Sequence, residues 1–182
     1  MHLKQEAAMT KRIPRTIAIL AATLVSVSLL TGASKPEGSA ASFIEGIYDL
    51  QEWHTDAGVL KAPQIYGHFV VWKGTITTVL HNGASPEKTT IAGIGHYSFD
   101  ANGHFSYAYD NSETITESSS GGLKVDRKLP WTGEKVFTQV ESTPTSLRIK
   151  TADGGTEFYF TKTSFAAFDN GKPLRSYKRV MK

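Results

Sequence analysis

The sequence predicts an all-β domain of many short antiparallel strands, a sandwich or a barrel, behind an export signal. Three observations carry this. Short runs rich in Val, Ile, Thr, Tyr and Phe recur from residue 43 onward, separated by turn signals at near-regular spacing. That region holds no long 3.6-residue periodicity of the kind that marks crossover helices. The first 33 residues have the basic, apolar, small-residue order of a secretion signal.

The signal comes first. "KRIPR" is followed by "TIAILAATLVSVSLL" and then by small residues. The apolar run from Ile17 to Leu30 is shorter than the ~20 residues that span a bilayer comfortably, so removal is expected and no stable membrane anchor. Cleavage is expected after Ala33, with Ala40 as the alternative, and Met9 could serve as the start as well as Met1. "LLTGAS" has the form of a lipoprotein signal with Ala33 where the lipid-bearing cysteine would stand. The mature protein is therefore expected in the periplasm or outside the cell. Residues 34–42, "SKPEGSAAS", show no apolar periodicity and read as a flexible linker to a domain over residues 43–182.

Charge changes meaning once residues 1–33 are set aside. The chain has 20 basic and 17 acidic residues; without Lys4, Lys11, Arg12, Arg15 and Glu6 it has 16 of each. A balanced domain lacks the electrostatic basis for nucleic-acid binding. The tail keeps a basic cluster, Lys172, Arg175, Lys178, Arg179 and Lys182, best read as the solvated face of a last strand. With no cysteine there is neither a disulfide framework nor a thiolate site, and stability must come from a core.

The strands follow in order: "FIEGIYDLQEW", "IYGHFVVW", "TITTVLH", "IGHYSFD", "HFSYAYD", "KVFTQVE", "SLRIKT", "TEFYFTKT" and "LRSYKRV". The turns between them are "KG", "NGASPE", "DANG", "STPTS", "ADGG" and "DNGKP". Late strands alternate, Leu147 and Ile149 against Arg148 and Lys150, Phe158 and Phe160 against Glu157 and Tyr159, so one face points inward. "HFVVW" is apolar on both parities, which fits a strand covered on both sides or a cavity wall. "NSETITESSSGGLKVDRKLPW" reads as a long connection, a flap or mouth loop.

The stretch "GHYSFDANGHFSYAYD" is the most informative. Asn102-Gly103 between alternating runs signals a hairpin, because glycine reaches positive φ at little cost. A three-residue loop, Ala101 to Gly103 with Gly103 left-handed, sets Asp100 opposite His104, Phe99 opposite Phe105, Ser98 opposite Ser106 and Tyr97 opposite Tyr107. Tyr97, Phe99, Phe105, Tyr107 and Tyr109 then share one face; His96, Ser98, Asp100, His104, Ser106 and Ala108 share the other. A two-residue turn would slip the register by one and mix rings with polar groups on both faces.

Candidate chemistry is sparse. His54, His68, His81, His96 and His104 form no spaced ligand motif, and His96 and His104 lie ~13 Å apart along the hairpin at strand rise, so no metal site is expected. His104 with Asp100 could orient an imidazole for proton transfer; on a wet face the same pair is only a cross-strand contact. Ser98 and Ser106 lack the turn that exposes a nucleophile beside an oxyanion hole. "SSSGGLK" lacks the strand and helix of a phosphate loop, and no cofactor is expected.

Taken in order, "GIYDL", "GHYSFDANGHFSY" and "LPWTGEKVFTQVESTPTSLRIKT" resemble strands of bacterial lipocalin-like domains, with Tyr48 where the first-strand Trp of lipocalins stands. The resemblance covers most of residues 43–182. It implies a closed antiparallel barrel of about eight strands with an internal cavity, and a basic side chain from the last strand, Arg175 or Arg179, over Tyr48 at the closed end. The function it implies is binding of a small hydrophobic or amphipathic ligand, against rings that suit such a molecule: Phe69, Trp72, Tyr97, Phe99, Phe105, Tyr107, Tyr109, Phe158 and Phe160. Barrels of this kind also host isomerase- or cyclase-type enzymes, and an exposed apolar patch would instead mark an envelope interaction protein.

Overall fold

The computed structural model describes residues 40–84, 88–128 and 134–182. The export signal, residues 1–33, and most of the linker lie outside the described residues. The elements are α1 (Ala40–Ile44), β1 (Gly46–Thr55), β2 (Gly58–Lys61), β3 (Ile65–Trp72), β4 (Thr75–Asn82), β5 (Lys88–Phe99) and β6 (Phe105–Glu117). They continue as β7 (Leu123–Lys128), β8 (Lys135–Ser142), β9 (Ser146–Thr151), β10 (Thr156–Thr161), β11 (Ser164–Asp169) and β12 (Lys172–Met181).

The domain is all-β, a closed antiparallel barrel of ten strands rather than eight. Twelve segments make ten staves because β2 and β3 lie end to end along β1, with Glu52 opposite Lys61 and Asp49 opposite His68. In the same way β7 and β8 lie end to end along β6. Each stave pairs with its chain neighbour, and β12 closes on β1, with Leu50 opposite Tyr177 and Trp53 opposite Arg175. Closure leaves no full-length edge for a second chain to pair with.

Two segments depart from the sequence expectation. Order within the described residues starts in α1, not in a strand at Phe43, and Ile44 of this helix is fully buried. The expected long connection is also mostly strand: β6 runs on to Glu117 and β7 returns beside it, turning over Ser118–Gly122 with Gly121 at φ 87°. Its sequence looks like loop because Ser112 and Thr114, its inward residues, border a cavity and need not be apolar.

The hairpin between β5 and β6 has the expected register. Phe99 faces Phe105, Ser98 faces Ser106 and Tyr97 faces Tyr107, and Gly103 has φ 83°. Asp100 fixes the loop: its carboxylate accepts from the backbone N–H groups of Asn102 and His104, both at 2.8 Å. Those bonds, the His104 N–H foremost, hold the carboxyl below its ordinary range. Beyond the hairpin the ladder shifts, with Gly95 opposite Tyr109 and Ile94 opposite Asn111, so Asp110 is the extra residue of a bulge. His96 Nδ1 meets its carboxylate at 3.0 Å on the outer face.

Candidate ligand cavity

α1 plugs one end of the barrel. Tyr48 donates from its hydroxyl to the Ile44 carbonyl at 2.6 Å, and Arg179 donates to that hydroxyl through both Nε, at 3.1 Å, and Nη2. The same Nη2 donates to the Phe43 carbonyl at 2.7 Å, so one guanidinium satisfies the C-terminal end of the helix and fixes it to the first and last strands. Of the two expected candidates, Arg179 covers Tyr48, its Cζ 5.0 Å from the ring centroid. Glu45 seals the rim beside it, accepting from the Tyr97 hydroxyl at 3.1 Å and the Lys73 backbone N–H at 3.0 Å.

Above the plug lies a cavity of about 400 Å³. Its floor is Ile44, Val71, Ile76 and Phe105; exposed Asp126, Lys135, Asp169 and Leu174 border it at the other end, where it opens. Lys135 donates to Thr156 Oγ1 at 3.2 Å across that mouth. The walls are aromatic. Phe158 packs at 5.0 Å from Phe137, 5.6 Å from Tyr107 and 5.5 Å from Phe165, and Phe165 stacks on Phe160 at 4.5 Å and Tyr177 at 5.0 Å. Desolvation pushes the Tyr107 and Tyr177 hydroxyls up to about 12 and raises that of Tyr109.

Room for these rings comes from small inward residues. Gly93 and Gly95 share the inward parity of Tyr97 on β5, and a Cβ at Gly93 would stand 2.9 Å from Cδ1 of Tyr109. The bulge at Asp110 then turns Ser112 and Thr114 inward, so β6 lines the cavity with rings below and hydroxyls above.

Six of the nine rings proposed from sequence border the cavity: Phe69, Phe105, Tyr107, Tyr109, Phe158 and Phe160. Tyr97 and Phe99 point to the same interior but sit near the plug, Tyr97 5% exposed and Phe99 against Phe105 at 5.2 Å, and neither lines it. Trp72 is a correction. It is 48% exposed on the outer surface, beside Ile47, Val70 and Met181, because Val71 takes the inward parity of β3. Phe165, Arg175 and Tyr177 line the cavity and were not proposed for it.

Arg175 stands apart from the other lining groups. Its guanidinium lies 4.3 Å from the Trp53 ring centroid, and its Nε is buried with no hydrogen-bond partner. Its charge draws down the hydroxyls of Tyr107, Tyr109 and Tyr177 against the larger effect of burial.

The histidine–carboxylate pairs lie elsewhere. His104 with Asp100, His96 with Asp110 and His68 with Asp49 are exposed on the outer face, at 3.0, 3.0 and 2.7 Å. Among the described residues no three His, Asp or Glu side chains are placed to hold a metal ion. No protein-family model matches the chain, and no curated protein or solved structure is significantly similar to it.

Proposed function

We propose that this protein binds a small hydrophobic or amphipathic molecule inside its barrel, in the periplasm or outside the cell. The observation that carries the reading is the aromatic cavity of about 400 Å³, plugged by α1 and open at the opposite rim. Pockets of a few hundred Å³ with apolar walls and few polar handles are what such ligands require. The residues that could perform proton transfer, His104 with Asp100, are exposed on the far side of the wall, which favours binding over catalysis. The Arg179–Tyr48 contact at the plug supports a distant kinship with lipocalins; ten strands weigh against strict membership.

The test is displacement of an environment-sensitive dye. N-phenyl-1-naphthylamine should gain fluorescence on the native protein at about one site. Tyr107→Ala should weaken it by roughly 1–3 kcal/mol through lost ring contact, whereas His104→Ala should leave it unchanged. The opposite pattern would place the site on the outer face and end the proposal.

Export is proposed from the order of residues 11–33. Expressed in a bacterial host, the full chain should yield a product starting at Ser34 or Ala41. Recovery of the intact N-terminus alone, in the cytoplasmic fraction, would remove the periplasmic part of the reading.

A further inference from the structure

An arginine is rarely left in an apolar wall without an anion. Taking a charge out of water costs several kcal/mol unless a counter-charge and hydrogen bonds replace what water supplied. Arg175 has one face on Trp53 and the Tyr177 hydroxyl near it, yet its Nε is buried and unpartnered. None of the ion pairs among the described residues includes it, although Asp126 and Asp169 border the same cavity.

The surroundings leave space for a partner. Directly opposite Arg175 on β11 is Ala167, a small residue of the lining, between the larger Phe165 and Asp169 of the same inward row. β12 runs from the mouth at Lys172 toward the plug at Met181, so Arg175 stands nearer the opening than Tyr177 does. Deeper than Arg175 the wall is aromatic: Phe160, Phe165 and Tyr177 are 1%, 3% and 4% exposed.

We infer that the molecule held in this cavity is an anionic amphiphile, a carboxylate whose headgroup pairs with the Arg175 guanidinium while its apolar tail lies against Phe158, Phe160 and Phe165. The inference rests on the cavity being a ligand site. Charge count selects carboxylate over phosphate: one guanidinium neutralises one charge, and its parallel N–H groups match a planar two-oxygen anion. A phosphate dianion at the same place would leave a buried negative charge. The hydroxyls of Tyr107 and Tyr177, kept protonated well above neutral pH, stand as donors around that pair.

The test compares decanoate with decan-1-ol, which share a tail and differ in headgroup charge, as displacers of N-phenyl-1-naphthylamine at neutral pH and below their aggregation limits. On the wild type decanoate should displace the dye at about tenfold lower concentration or less, the scale of a charge-assisted hydrogen bond. Arg175→Gln should bring the two displacers together, Arg175→Lys should keep part of the preference, and Arg148→Gln on the outer face should keep all of it.

Equal displacement on the wild type, or a preference that survives Arg175→Gln, overturns the inference and leaves the cavity as a neutral-ligand site. A preference that collapses in Lys135→Gln but not in Arg175→Gln puts the headgroup at the mouth and overturns it too. A wild type that takes up neither dye nor decanoate removes the cavity reading itself. If Arg175→Gln does not fold, the wild-type ratio and its change in Arg175→Lys still decide the matter.

Discussion

Adding one methyl group at Gly95 should lower the melting temperature by about 10 °C or more, a loss of roughly 3 kcal/mol or beyond. A Cβ there would stand 1.9 Å from the Ala108 carbonyl oxygen, 2.6 Å from the Tyr109 Cα and 2.8 Å from the Ala108 carbonyl carbon. All three are backbone atoms of the paired strand, so no side-chain rotation relieves the contact. Either the β5–β6 ladder opens at its bulge or the bulge migrates, and both disturb Tyr109 over the cavity. Gly103 supplies the control. It is left-handed at φ 83° but has nothing within 4 Å of its missing Cβ, so Gly103→Ala, or the bulkier Gly103→Val, meets mainly backbone strain of about 1 kcal/mol. Thermal melts followed by circular dichroism separate the two. If Gly95→Ala melted with the wild type, the bulge would not be where the register puts it.

That contrast also explains what the sequence could and could not reveal. The hairpin was legible because Asn102-Gly103 specifies its turn locally, and parity then separates the rings from the polar groups. The bulge at Asp110 was not, since an extra residue leaves no mark in an alternating pattern until its partner strand is known. Eight strands came from the lipocalin resemblance, whereas β11 escaped because "SFAAFD" carries two alanines where β-branched residues would announce a strand. Trp72 was misplaced for a related reason: Val70, Val71 and Trp72 are apolar on both parities, and only pairing with Ile47 and Ile76 reveals which faces water. For Arg175 and Arg179 the sequence offered two candidates for one position over Tyr48. The second occupies it, and the first is thereby left inside the cavity, a distinction that depends on where β12 closes against β1.

The buried phenols should make the barrel sensitive to alkali. Burial raises the hydroxyls of Tyr97, Tyr107 and Tyr177 to about 12, and those of Tyr48 and Tyr109 are raised as well. An unfolded tyrosine ionises near pH 10, so between about pH 10 and 12 the folded chain holds protons that the unfolded chain has released. The contribution of these groups is therefore fully present below pH 10 and is lost as pH rises through about 12. A displacement of about two units is worth roughly 3 kcal/mol for a well-buried phenol, so Tyr107 and Tyr177 alone put a large part of an ordinary domain's stability at stake. At 9% and 4% exposure, solvent screens Tyr107 and Tyr177 little, whereas the Tyr97 hydroxyl lies at the part-buried rim against Glu45 and contributes less. Unfolding is expected in one step in this window, with tyrosinate absorbance rising as the β-sheet ellipticity falls. Tyrosinate formation complete near pH 10 with the ellipticity intact would mean that the phenols are already wet. Tyr177→Phe removes one such proton without removing the ring, so it should move the alkaline midpoint upward, and an unchanged or lower midpoint would show that its hydroxyl is not the group that titrates.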